Sequence, residues 1–329
     1  MMMKAIVLRQ TGPAETLDYA QMERPQAAPG HILIKVAASG VGFGDVQLRR
    51  GLYPHMPPLP FITGYEAAGV VVEVGQGVSQ DWMGKRALVV TPGGCAAEYV
   101  ACPAIFAARL PETVSFETAA AIGTNYLTAW CLLRRATALS AGDTVVIYAA
   151  AGGVGSALVQ LARLDGLRVI GLAGSAEKCR FVRDQGADGV LQSGAGPLAA
   201  QVRALAEKGV QAVFNSLGGS TLADDVAMLS PFGQIVLYGM AEGPPTAEFM
   251  MAFMGAFGLS PALRLMSLES LAAANPPDMG LALQELANLA GAGRIAPHIH
   301  TVLPLAQAAE AHRLLESRQV MGKVVLKVV

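Results

Sequence analysis

This sequence predicts an α/β fold, a doubly wound parallel sheet preceded by a β-rich region, and three observations predict it. The first is the stretch Thr144–Gly155, TVVIYAAAGGVG. Its apolar, β-branched start suits a strand buried on both faces of a parallel sheet. A turn of small residues follows, and Val154–Leu164 then carries apolar residues at helical spacing. The second observation is that strand-like and helix-like segments keep alternating as far as Gly239. The third is that residues 1–110 read as short strands between Gly/Pro-rich turns.

Strand, tight turn and helix together make the first unit of a dinucleotide-binding fold. Against the fingerprint G-x-G-x-x-G, Ala150 takes the first position, and Gly152 and Gly155 the other two. Glycine at 152 lets backbone N–H groups approach a pyrophosphate, and glycine at 155 lets the helix pack closely on the strand. The helix N-terminus adds its partial positive charge. Ala151, Gly152, Gly153 and Val154 are therefore candidate cofactor contacts.

The remaining elements follow in order. Lys4–Arg9, His31–Ala37, Gly69–Val74, Arg86–Val90 and Ala97–Ala101 are strand-like. Thr113–Arg135 has a long, Ala-rich helical pattern with an expected break around Gly123. After Thr144 come strands at Arg168–Ala173, Gly189–Gln192, Ala212–Ser216 and Gln234–Gly239. Helices alternate with them at Glu177–Gln185, Leu198–Glu207 and Thr221–Leu229. The tail reads as a helix (Leu281–Ala290), a Pro-flanked strand, a helix (Ala306–Glu316) and a final strand, Lys323–Val328.

Composition narrows the function classes. A chain of 329 residues suggests two domains, and 53% hydrophobic against 15% charged residues leaves ample material for cores. The formal net charge is −1 and no Lys/Arg cluster occurs, which argues against nucleic acid or anionic lipid as partner. Cys95, Cys102, Cys131 and Cys179 lack C-x-x-C spacing and read as buried, reduced thiols of a cytoplasmic protein. The start, Met1–Gln10, reads as a strand and not as a signal peptide. Phe249–Leu263 is the most apolar segment, but Pro261 and its length fall short of a membrane span; a buried interface or a membrane-surface contact remains open.

Several motifs carry a resemblance. GVGFGDVQLRRGLYP (40–54) resembles the GVNF-x-D…G-x-YP segment of the quinone oxidoreductase (ζ-crystallin-like) branch of the medium-chain dehydrogenase/reductase superfamily. GYEAAGVVVEVGQGV (64–78) matches that branch's G-x-E-x-x-G-x-V-x-x-V-G signature, and AAAGGVG (149–155), VFNSLGG (213–219) and GKVVLKV (322–328) fit it too. NYLTAW (125–130) and LYGMA (237–241) are similar to the subgroup of the synaptic-vesicle membrane protein homologue. The resemblance implies a GroES-like β-rich catalytic domain formed by residues 1–123 and 262–329. A Rossmann NADP-binding domain, 124–261, would be inserted in it, with the active site in the cleft between. It also implies a homodimer through the nucleotide domains, with Phe249–Leu268 as the interface.

NAD-specific sites usually place Asp or Glu at the end of the second strand. Gly171–Ser175 holds no acid there, which permits the 2′-phosphate of NADPH. Gly174 and Ser175 are candidates to contact it, and Lys178 and Arg180 supply charge. The alternative is that Ser175 caps the next helix and Lys178 is solvated. The family's S-x-x-K pattern implies Lys178 on the phosphate. Its tyrosine after the third strand is replaced here by Gln192-Ser193, leaving Ser193 as the candidate.

Zinc-dependent relatives bind metal through an early Cys, the His of G-H-E and a later Cys or acid. The corresponding positions here are Gly44-Asp45 and Gly64-Tyr65-Glu66, so a zinc-free site is expected. Hydride delivery to a simple ketone produces a localised alkoxide that needs a Lewis acid or strong proton donor. A quinone or enone spreads the charge, so positioning and hydrogen bonds suffice.

The expected reaction is thus NADPH-dependent reduction of a small quinone or α,β-unsaturated carbonyl. Enoyl-thioester reduction is the alternative, with Arg49, Arg50 and Arg264 as candidates at a cleft mouth for CoA or carrier substrates. A nucleotide-binding, membrane-associated regulatory protein with weak catalysis is the third reading. Tyr53 either serves the substrate or is a packed turn aromatic, and Asp45 either orients cleft groups or structures its loop. Asn125 and Thr128 lie where relatives contact the nicotinamide ribose or amide. The family's Asn of GVNF is Gly42 here. Asn215, Leu217, Tyr238 and Gly239 lie at the sheet edge where ligands bind. His298 and His300 read as strand residues and not as metal ligands.

Overall fold

The computed structural model describes every residue except Pro54 and Val329, so the last residue of the GLYP motif lies outside the described residues. The chain forms two compact units, Met1–Leu127 with Leu271–Val329, and Thr128–Ser270.

The first unit opens with β1 (Met2–Leu8), β2 (Leu17–Glu23), β3 (His31–Val41), α1 (Phe43–Arg49), β4 (Phe61–Ile62) and β5 (Glu66–Val74). β6 (Arg86–Val90), β7 (Tyr99–Pro103) and β8 (Ala107–Arg109) follow. Helix α2 (Phe116–Arg134) then leads the chain into the second unit. That unit contains β9 (Thr144–Ile147), α3 (Gly153–Leu164), β10 (Arg168–Ala173), α4 (Ala176–Asp184), β11 (Gly189–Gln192) and α5 (Leu198–Leu205). It continues with β12 (Val210–Asn215), α6 (Thr221–Met228), β13 (Leu229–Leu237), α7 (Ala247–Gly255) and β14 (Ala262–Leu265). Helix α8 (Leu268–Ala274) carries the chain back to α9 (Pro276–Gly291), β15 (Ile299–Pro304), α10 (Ala308–Glu316) and β16 (Lys323–Lys327).

In the first unit, β15-β16-β3-β5-β6-β8 form a mixed sheet with β7 also paired to β3, and β2-β1-β4 form a small second sheet. The C-terminal strand β16 runs antiparallel to β3, so both chain ends build one core, with Ile32, Ile34, Val71, Val89, Val324 and Leu326 inside it. In the second unit the strand order is β11-β10-β9-β12-β13-β14, all parallel. The order reverses beside β9, the switch point where doubly wound sheets bind ligands. Val146, Ile170, Val213 and Ile235 line the core beneath.

Two expectations need correction. Strand β14 pairs with β13, Gln234 opposite Ala262, so the second unit runs to Ser270 and not to residue 261. The apolar stretch from Phe249 is most of α7, a 3-10 turn (Phe257–Leu259) and the start of this edge strand. Helix α2 is unbroken at Gly123. A Cβ there would overlap the Glu66 carboxylate, so this glycine makes room for a neighbour and the helix continues around it. In the turn after β9, Ala149 has a positive φ (48°), and Ala150, at the first fingerprint position, is buried. No helix among the described residues is long and apolar enough to cross a membrane.

Candidate active site

In the second unit the predicted cofactor residues gather along one edge, beyond the C-terminal ends of the parallel strands. The turn Ala149–Gly152 follows β9, and Gly152 caps α3 in extended conformation. A Cβ at Gly155 would collide with the Ala149 carbonyl and the Ala150 backbone, so only glycine lets α3 begin this close to the strand. The first N–H groups of α3, from Gly153 and Val154 on, have no intrahelical acceptor and point out of the turn.

After β10, Gly174 is exposed with open space where a Cβ would stand. The Ser175 hydroxyl accepts from the Lys178 N–H at 3.2 Å and caps α4. Capping uses the oxygen as acceptor and leaves the hydroxyl proton to donate. Burial pushes the Lys178 ammonium below its ordinary pKa, opposed by Glu177. An anion beside Lys178 would oppose that shift in turn. Ser193 is exposed after β11, its N–H bonded to the Ala173 carbonyl at 2.9 Å.

The loop after β12 is organised by Asn215, which is fully buried. Its Oδ1 accepts from the N–H groups of Leu217 (2.7 Å) and Gly218 (3.0 Å). Tyr238 follows β13, and its N–H reaches the Asn215 carbonyl at 3.0 Å. Burial pushes the Tyr238 phenol up to about 12. Gly239 lies against the Ser216 backbone, where a Cβ would crowd the carbonyl. Thr128 is half-buried on α2.

In the first unit, Asp45 lies in the first turn of α1, buried, and its Oδ2 accepts from the Gly42 N–H at 2.8 Å. The loop-structuring role weighed for it is therefore visible. Burial pushes its carboxyl up to about 6, against the pull of the Gly42 N–H and the Lys323 charge. Tyr53 stands in the loop beyond α1, its ring centroid 6.1 Å from that of Tyr65. Asn125 is buried on α2 next to Thr124.

The residues that sequence reasoning missed lie beneath these. Glu66 and Lys323 form an ion pair inside the first unit, 1% and 2% exposed. Glu66 also accepts from the Thr124 N–H (2.6 Å) and hydroxyl (2.7 Å), fixing the helical turn that presents Asn125. The available signal was a lysine directly before the apolar run Val324–Leu326. Arg49 requires a correction: it is 1% exposed and bonded to Glu316 at 2.5 Å, so it serves packing of α1 against α10 and is not open to a substrate. Arg50 is exposed, and Arg264 donates to the Arg135 carbonyl at 3.3 Å. All four cysteines are buried and unbridged, and burial pushes the Cys102 thiol up to about 12. His298 has its pKa lowered by burial and by His300. Among the described residues no three His, Cys, Asp or Glu side chains converge as metal ligands.

A family model described as alcohol dehydrogenase GroES-like domain matches residues 28–112, and one described as zinc-binding dehydrogenase matches residues 185–326. The human synaptic vesicle membrane protein VAT-1 homolog is 34% identical, over 92% of this chain and 80% of its own length. A probable quinone oxidoreductase of Schizosaccharomyces pombe is 33% identical, over 98% of this chain and 96% of its own. The chain belongs to the medium-chain dehydrogenase/reductase superfamily, among its quinone oxidoreductase-like members. The Escherichia coli quinone oxidoreductase, solved in complex with NADPH, superposes with a TM-score of 0.91 at 30% identity, covering 98% of this chain and 99% of that one. The GroES-like and Rossmann architecture expected from the sequence is thus the family's own.

Proposed function

We propose that this member of the superfamily is a zinc-independent oxidoreductase that uses NADPH to reduce a quinone or an α,β-unsaturated carbonyl compound. The observation that carries the reading is the sheet edge of the second unit. It combines an open helix N-terminus after β9 with a β10 end, 171–175, that carries Ser175 and no carboxylate, and Lys178 follows in the first turn of α4. A carboxylate there would repel a 2′-phosphate, whereas a hydroxyl donor and an ammonium suit it.

Bound NADPH supplies a hydride from nicotinamide C4, and the acceptor takes up that hydride and one proton. The chain's own task is binding and orientation. Ala151–Val154 cradle the pyrophosphate, Gly174, Ser175, Lys178 and Ser193 the adenosine phosphate, and Leu217, Tyr238, Gly239 and Thr128 the nicotinamide side. Asn125 orients the reacting groups, Asp45 holds the Gly42 turn, and Tyr53 serves the substrate carbonyl as hydrogen-bond donor. Zinc independence is supported by the residues at the metal-ligand positions of zinc-dependent relatives, Asp45 and Tyr65. The protein works in the cytoplasm as a homodimer. Exposed Met251, Met254, Phe257 and Leu265 beside the unpaired edge of β14 support the dimer.

The test follows NADPH absorbance with a naphthoquinone, a simple enone and crotonyl-CoA in parallel. Turnover of the quinone or enone, unaffected by chelator and weakened at least about tenfold by Lys178→Glu, is expected. Preference for crotonyl-CoA would make the chain an enoyl-thioester reductase, and NADPH binding without oxidation a regulatory protein. A monomer mass on gel filtration would remove the dimer.

A further inference from the structure

Asp225 is an acid that the cofactor site described above does not use. It lies on α6 between Leu222 and Val226, on the face turned to the core, and is completely buried. Its Oδ2 accepts from Asn215 Nδ2 at 2.6 Å, and the same Nδ2 donates to Thr221 Oγ1 at 2.9 Å. On the other side of that amide, Oδ1 accepts the two backbone N–H groups of Leu217 and Gly218. The amide orientation is therefore forced. Two N–H donors require the oxygen to face the turn, so the NH2 must face α6, where Asp225 and Thr221 are its acceptors.

The turn so held has little slack. Gly218 and Gly219 have φ of 71° and 57°, and a Cβ on either would run into the backbone of Glu242–Gly243. Asp225 reaches toward β9 as well. Tyr148, just beyond that strand, is close enough that each side chain shifts the other's titration, although Tyr148 OH and Asp225 Oδ1 lack a well-formed hydrogen bond.

Strand order says which part of a dinucleotide meets this turn. β10, β9 and β12 are consecutive neighbours in the parallel sheet. With the adenosine phosphate at the end of β10 and the pyrophosphate at the end of β9, the nicotinamide half continues to the loop after β12. We propose that Asp225 is a positioning residue for that half: by locking the Asn215 amide it sets the 216–219 loop against which the nicotinamide nucleotide lies. The proposal rests on the NADPH reading above.

The test titrates the full-length protein with NADPH and, separately, with 2′,5′-ADP, which has the adenosine half but no nicotinamide. Asp225→Ala leaves an Asn215 N–H without its acceptor and is expected to weaken NADPH about tenfold while 2′,5′-ADP stays within about twofold. Asp225→Asn keeps an acceptor oxygen and restores NADPH affinity to within about threefold. Equal loss of both ligands, no loss of either, or failure of Asp225→Asn to restore binding would overturn the proposal. Should Asp225→Ala not fold, Thr221→Val removes the other acceptor of the same amide and is expected to show the same selective loss, about threefold. A loss shared equally by both ligands there has the same overturning meaning. Absence of NADPH binding by the unsubstituted protein would instead sink the cofactor reading.

Discussion

Glu66 and Asp225 are both buried carboxylates, yet they are held in opposite ways. Glu66, in the first unit, faces the Lys323 ammonium and takes two further bonds from Thr124. Asp225, in the second, has among the described residues only the neutral Asn215 amide as a well-formed donor and the neutral Tyr148 nearby, and burial pushes it up to about 7. A buried charge needs either a counter-charge or the freedom to become neutral. The first unit uses the counter-charge, which joins the last strand of the chain to its middle. The second uses neutralisation, which keeps a polar acceptor beside the 216–219 loop without a fixed charge.

The largest test of this contrast removes the cation. Lys323→Met should destabilise the protein by about 3–5 kcal/mol in urea denaturation at neutral pH, because the buried Glu66 loses its counter-charge. Adding Glu66→Gln should recover most of that loss, whereas no such partner exists for Asp225. A second test fills the space that the pair requires. Alanine normally favours a helix by about 1 kcal/mol over glycine. Gly123→Ala should nevertheless cost about 1–3 kcal/mol, since its Cβ meets the Glu66 carboxylate.

The third test uses pH. Asp225 has a folded pKa near 7 against 3.8 for the free group, so the neutral acid is favoured by folding. Its contribution is fully present below the free value and is lost as pH rises through about 7. Asp225→Asn should therefore flatten the decline of stability between pH 4 and 7, reaching about 4 kcal/mol relative to the wild type at pH 8. His312 shows the reverse sign. Burial, helped by Arg49, lowers it to about 3, so its contribution is present above the free value of 6.5 and fades as pH falls. At pH 5.5, removing its titration with His312→Gln should reduce the acid-induced loss by about 1 kcal/mol, read as a change in slope between pH 7 and 5.

Much of this was legible in the primary sequence. The β9 turn and α3, the alternation after Thr144 and the absence of an acid within 171–175 all appear as local patterns, and the structure places them at the end of β10 as expected. Glu66 and Lys323 both lie inside motifs quoted from the sequence, but 257 positions separate them, and no local pattern says that they touch. Arg49 reads as a surface cation by residue type, and only the packing of α1 on α10 buries it. Asp225 could have been noticed as a carboxylate at i+3 from Leu222 and one before Val226, on the buried face of its helix. Ala149, a residue with a Cβ at positive φ, gave no compositional sign at all, because the fingerprint assigns glycine elsewhere.

What the sequence determined by itself is the alternation of strands and helices from Thr144 to Gly239 and the class of ligand at the parallel-sheet edge, since apolar periodicity and a short turn act between near neighbours. Tertiary structure decided where the second unit ends, because β14 takes its place by pairing with β13. It also decided which charges are buried and how each is neutralised. Those outcomes depend on groups brought together from distant parts of the chain, and desolvation acts on them only once the fold has closed.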